Sequence, residues 1–248
     1  MNRPSLEQRA AVRVEPDRLP IMYQQWRDLL FLHWEMDATT IQATLPNGLF
    51  VDTYEEQAFL TVTPLFMRNV RPVSVPAVPG ISNFLELNVR TYVHDRLGRP
   101  GVWFYSLDCN QFLAVKAARG FFHLNYEDAK MAGGLREDGG IEFSCLRKGT
   151  TEPGTYFWKT TGDPYFAESG SLEYFLIERY LLFAAAGEQL YLGRIHHQPY
   201  PVRKVETFTA DQVMLRLNGF QPRGEVALAQ ASDGVDVKVY ALEKVDAL

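Results

Sequence analysis

Turn signals break this chain at short, frequent intervals, and that rhythm restricts the fold more than any other feature of the sequence. Glycine- and proline-bearing clusters fall at "LPNG" (45–48), "RPVSVPAVPG" (71–80), "RLGRPG" (96–101), "AGGLREDGG" (132–140), "TEPG" (151–154) and "SDG" (232–234). Between them lie "FLTVTPLF", "VWFYSLDC", "IEFSCLRK", "TYFWKTT", "EVALAQA" and "VDVKVYAL". These are rich in β-branched and aromatic residues, which suit a pleated, half-buried surface. Many short strands punctuated in this way predict a β-sandwich or barrel. Helices are predicted in three places: after Asp37 in "DATTIQATLP", after Asn110 in "NQFLAVKAARGFF", and after Ser171 in "SLEYFLIERY". In the third, Leu172, Phe175, Leu176 and Arg179 recur at helical spacing behind a capping serine. The chain therefore reads as mainly β (α+β), dominated by antiparallel strands. With no fixed-period repeat and no low-complexity linker, the expected organisation is a flexible N-terminal tail over 1–20 and a single domain over 21–248.

The stretch "FLELNVRTYVHD" (84–95) carries the functional question. Side chains alternate across a strand, so Leu85, Leu87, Val89, Thr91 and Val93 make one face and Glu86, Asn88, Arg90, Tyr92 and His94 the other. Antiparallel sheets often show one face to water, and a solvated polar face is the default. However, this face holds no lysine or serine, and its hairpin partner "VWFYSLDC" is apolar on nearly both sides, which places the pair inside the protein. One register sets Arg90 opposite Ser106 and Asn88 opposite Asp108; the other sets Arg90 opposite Tyr105. In both, a buried Glu86 near Arg90 forms either a structural ion pair or the wall of a ligand cavity, since an unpaired buried charge is too costly to keep.

Several classes of function have no support. A net charge of −5 supplies no basic field for nucleic acid or anionic lipid. Two separated cysteines, Cys109 and Cys145, make neither a disulfide framework nor a cysteine zinc site, and fit a cytoplasmic location. The polar N-terminus is neither signal peptide nor anchor, and no apolar run reaches the length of a membrane span. There is no GxGxxG, GxxxxGK[ST], HExxH or GxSxG, so no nucleotide or other cofactor is expected. His33 and Glu35 share a strand face at i and i+2, but the better reading is a hydrogen-bonded histidine beside Trp34. His196 and His197 point to opposite faces, leaving open which turns inward, and no metal site is expected. Glu178 and Arg179 read as structural support, through ion pairs to the wall or at its mouth.

Six ordered segments bring a resemblance. "MYQQWRDLLFLHWEMD", "LPNGLFVDTYEEQAFLTVTPLFMRNVRP", "FLELNVRTYV", "GVWFYSLDCNQFLAVKAARGFFHLNY", "SLEYFLIERY" and "IHHQPYPV" together resemble the YqjF-like family, a domain of unknown function, over nearly the whole chain. That family is similar in fold to acetoacetate decarboxylase, and the resemblance implies a closed, cone-like antiparallel β-barrel with a few packed helices around a cavity. It also implies that the nucleophilic lysine of the decarboxylase pattern is absent. Along G-R-E-x-x-G-x-P-K-K, Arg119 matches the arginine, Asn125 falls at the proline and Tyr126 at the Schiff-base lysine, while Glu86 matches the pocket glutamate. Without an amine there is no imine and no electron sink. The resulting expectation is a small-molecule binder for an organic carboxylate or carbonyl compound, with Arg90, Asn88 and Arg119 as ligand-binding residues. The alternative is a general acid–base enzyme using Glu86 with Tyr126 or His123. Decarboxylase relatives form large oligomers, so a homo-oligomer is left open.

Overall fold

The structure, a computed structural model, describes residues 3–111, 122–222 and 224–245. The helix expected after Asn110, and with it Arg119, lies outside the described residues. Thirteen strands form a single sheet. They are β1 (Met22–Met36), β2 (Leu49–Val51), β3 (Ala58–Pro72), β4 (Phe84–Asp95), β5 (Pro100–Cys109), β6 (Tyr126–Leu135), β7 (Ile141–Arg147), β8 (Gly154–Tyr165), β9 (Leu181–Ala186), β10 (Gln189–His196), β11 (Val202–Ala210), β12 (Leu228–Val239) and β13 (Glu243–Lys244). Among the described residues four short helices join them: α1 (Leu6–Ala11), α2 (Ala38–Gln42), α3 (Leu172–Ile177) and α4 (Val213–Leu217). Asp37 caps α2 by accepting from the Thr40 amide at 2.8 Å, and Ser171 caps α3 by accepting from the Tyr174 amide at 3.1 Å, as the sequence predicts. The mainly β reading with few helices holds.

Long strands β12, β1, β3, β4 and β5 form a continuous wall, closed on both faces. On one face, β6, β7, β8 and β11 complete a ring of nine strands. On the other, β9 and β10 bridge β5 back to β12. The closures at β5–β6 and β5–β9 are parallel, so the sheet is not wholly antiparallel. Each partner reaches β5 through a long excursion of the chain rather than a hairpin, which is what parallel pairing requires. Alternation along the wall then feeds two cores. Leu30, Leu32, Leu87 and Val89 pack toward Phe143 and Trp158, whereas Leu29, Phe31, Leu65 and Tyr92 pack toward Phe175 of α3. Every residue of β4 is consequently buried, and neither of its faces meets water.

Three local expectations are corrected. "SDG" at 232–234 is not a turn: β12 runs through it, with Gly234 at φ +127° where a side chain would collide with the Trp26 carbonyl. The glycine is present for close backbone approach, which sequence alone does not separate from a turn. "AGGLREDGG" turns only after Leu135; Gly133 lies inside β6, where a Cβ would stand 3.1 Å from the Phe66 and Phe143 rings. The N-terminal segment expected as a flexible tail is docked: α1 buries Arg9, which grips Asp52 at 2.7 and 2.8 Å, and Arg194 bonds the Val14 carbonyl at 2.8 Å. Asp52 is fully buried, so it needs a cationic partner, and Arg9 from the N-terminal segment is one.

Candidate functional site

β3, β4 and β5 hold the polar face in place. Register sets Glu86 between Leu65 and Cys109, Asn88 between Thr63 and Leu107, and Arg90 between Thr61 and Phe104. The register that would set Arg90 opposite Tyr105 is adopted from Glu86 to Val89, and a bulge at the Val89–Arg90 step then moves Arg90 opposite Phe104 and leaves Tyr105 unpaired. The extra residue puts Phe104 and Leu107 on the same side as Arg90 and Asn88. Ser106 and Asp108, paired with Val89 and Leu87, lie on the other face, where Asp108 pairs with Arg147 at 2.7 and 2.8 Å.

Glu86, Asn88 and Arg90 line a cavity of about 290 Å³ between the wall, α3 and β9–β10. Glu86 does not pair with Arg90. Four residues along a strand separate their backbones by roughly 13 Å, and each meets its own surroundings. The Tyr126 hydroxyl donates to Glu86 Oε2 at 2.8 Å, and the Asn88 amide also bonds the carboxyl. Burial nevertheless raises the Glu86 carboxyl to about 7, against those two bonds and with a small contribution from the Asp108 charge. Burial likewise pushes the Tyr126 phenol far above its ordinary value, the neighbouring carboxylate adding to it. The pair is thus a neutral phenol donating to a carboxyl poised near neutrality.

At the other end, Arg90 is 7% exposed and makes no ion pair among the described residues. Its Nε and Nη2 atoms have no hydrogen-bond partner, and neither does Asn88 Oδ1. The guanidinium lies over the Phe31 ring at 5.5 Å. Behind it, His33 bonds Thr61 at 2.8 Å and Gln230 at 3.2 Å, and Thr61 bonds Tyr92 at 2.7 Å. Burial, then the Arg90 charge, lowers His33 to about 3, so the imidazole is neutral. This is the hydrogen-bonded core histidine expected beside Trp34.

Other candidate residues fall elsewhere. Phe122, Leu124 and Tyr126 face the cavity, whereas His123 adopts φ +50° and turns its ring onto Tyr191 at 4.7 Å. His94 stacks on Phe50 and bonds the Asp95 carbonyl. Of the adjacent histidines, His197 is the inward one, stacked on Tyr180 at 4.6 Å, while His196 meets the Arg13 carbonyl at the surface. Both cysteines are free and buried, and among the described residues no group of three or more metal-ligating side chains gathers. No helix among them is long and apolar enough to cross a membrane.

Sequence reasoning missed Asp52, which accepts from both Arg9 and Arg179. Arg179, expected as structural support through an ion pair to the wall, makes that pair and also lines the cavity.

A mostly β sheet closed on both faces of one wall, with a carboxyl and a phenol meeting in an interior cavity, defines a protein of the acetoacetate decarboxylase-like fold. The structure is similar to acetoacetate decarboxylase from Legionella pneumophila (TM-score 0.65, 14% identity, 94% of this chain and 92% of that one). It is equally similar to the enduracididine biosynthesis enzyme MppR complexed with pyruvate (TM-score 0.65, 10% identity, 94% and 93% covered). The chain itself belongs to the DUF2071 family of uncharacterized conserved proteins, matched over residues 23–236. Its sequence is also 40% identical over 192 residues to the uncharacterized protein YqjF of Bacillus subtilis (strain 168), covering 77% of this chain and 78% of the relative.

Proposed function

We propose that this protein binds a small organic carboxylate or carbonyl compound in the cavity, without imine chemistry. The observation that carries this reading is Arg90, a cavity-lining residue whose buried Nε and Nη2 have no hydrogen-bond partner. A guanidinium so placed presents parallel donors to a carboxylate, and an unpaired buried cation favours an anionic guest. Asn88 Oδ1 and the Glu86–Tyr126 pair supply polar contacts for a second oxygen. The fold neighbour MppR is named as complexed with pyruvate, a ligand of this class. Tyr126 stands where the decarboxylase pattern has lysine, and no lysine is among the described lining residues.

A second reading rests on Glu86. A carboxyl near 7 beside a cavity is suited to removing a proton next to a carbonyl. Pyruvate tests both readings. Calorimetry should show saturable binding that weakens in Arg90→Met; no heat with pyruvate or other small acids would sink the binding reading. Borohydride treatment should leave the intact mass unchanged, and a mass increment would overturn the exclusion of an imine. Exchange of the pyruvate methyl protons in deuterated water, followed by NMR and abolished in Glu86→Gln, would establish the enzyme reading; absence of exchange would remove it.

A further inference from the structure

The cavity contains a second cation. Arg179 follows α3 and is 5% exposed. Its Nε donates to the Phe175 carbonyl at 2.7 Å and its Nη1 to Asp52 at 2.8 Å, but its Nη2 is buried without a partner. Asp52 does not belong to Arg179 alone, because Arg9 occupies both its oxygens. Two arginines share one carboxylate, and Arg90 has none. The Arg90 and Arg179 guanidinium carbons stand 6.0 and 4.9 Å from the same Tyr92 ring, and both residues line the same cavity. Burial lowers Arg179 to about 10 against the opposing pull of Asp52, which leaves it charged at neutral pH. The neutral His33 supplies no compensation.

Around this cationic end the lining is apolar: Trp26, Phe31, Leu65, Phe104, Ile177 and Ile195 all face the space. A three-carbon acid such as pyruvate has six heavy atoms. At about 30 Å³ each, the share one water takes, it leaves a third or more of 290 Å³ unfilled. We infer that the preferred ligand is an organic acid with an aryl or branched alkyl body, its carboxylate held jointly by Arg90 and Arg179 and its body against the six apolar side chains. This rests on the ligand-binding reading above and narrows it. Asp52 is a positioning residue in this arrangement, aiming Arg179 while Arg9 of α1 holds Asp52 in turn.

Calorimetry on the full chain with pyruvate, propanoate, 3-phenylpropanoate and 3-phenylpropanamide tests the inference. The phenyl acid should bind at least 10-fold tighter than propanoate. Arg179→Met should weaken it roughly 10- to 100-fold, as expected for losing a charged hydrogen bond, while changing the affinity for the neutral amide less than twofold. If Arg179→Met shows no cooperative melting transition, Arg179→Lys takes its place. Lysine retains the charge but lacks the fork, and a loss of at least 5-fold is expected. Pyruvate binding with no gain from the phenyl body, or no loss on changing Arg179, would overturn this inference and leave the broader reading standing. Failure of every acid to bind would overturn the broader reading itself.

Discussion

Replacing Glu86 by glutamine is expected to stabilise the protein at neutral and alkaline pH while changing little in mild acid. The Glu86 carboxyl moves from 4.5 in an exposed chain to about 7 in the fold, chiefly because burial penalises the charge. At roughly 1.4 kcal/mol per tenfold change in proton affinity, that displacement corresponds to about 3 kcal/mol. The sign follows from proton counting. Between pH 4.5 and 7 the folded protein holds a proton that the unfolded chain has released, so stability falls as pH rises through this window. Glutamine mimics the protonated acid, still accepts from the Tyr126 hydroxyl, and has no such loss. His33 and His197 complicate absolute curves, since burial holds them neutral, at about 3 and about 4, and stability is lost as pH falls below 6.5. Both are present in wild type and variant, so the difference isolates Glu86. Urea unfolding followed by tryptophan fluorescence from pH 5 to 8 should show the variant ahead by less than about 1 kcal/mol at pH 5 and by about 3 kcal/mol at pH 8. A gap that stays constant, or wild type gaining on the variant as pH rises, would refute a buried, high-pKa Glu86.

Two further changes probe the wall that carries the site. Asp108→Ala strands the Arg147 guanidinium, which now makes bonds of 2.7 and 2.8 Å to that carboxylate, and should cost about 3–5 kcal/mol in urea unfolding. The double variant with Arg147→Met should recover part of the loss, and a single-variant cost below about 1 kcal/mol would show that Arg147 does not depend on Asp108. Gly234→Ala places a Cβ against the Trp26 carbonyl at φ +127° and should lower stability by about 2 kcal/mol or more; a melting temperature within 2 °C of wild type, against the several degrees such a loss produces, would mean that β1 and β12 do not approach there.

Much of the fold was legible because its signals are local. Capping by Asp37 and Ser171, and the alternation in "FLELNVRTYVHD", depend on residues within a few positions of one another. The errors arose where a local signal has two meanings. Gly234 reads as a turn but serves a close approach between β1 and β12, partners some two hundred residues apart in the chain. The Tyr105 bulge is invisible to a two-residue period, so the register that sets Arg90 opposite Tyr105, and with it Ser106 and Asp108 opposite Val89 and Leu87, holds up to Val89 but misses the shift that brings Phe104 opposite Arg90. In the site, Glu86, Asn88 and Arg90 could be picked out from their shared face, and Tyr126 from its place in a motif. Arg179 could be picked out only as an ion-pairing support, and Asp52 not at all, since nothing local marks a carboxylate that two distant arginines will share.

The sequence by itself determined that the chain is mainly β and that β4 carries acid, amide and guanidinium on one face. Only the tertiary structure decided that this face is a cavity wall and not a wet surface. Alternation says that two faces differ but not what covers each. That depends on β6–β8 and β11 closing over one side while α3, β9 and β10 close over the other. Enclosure is also what raises Glu86 toward neutrality and leaves Arg90 without a partner, because desolvation is a property of everything packed around a group rather than of the residue itself.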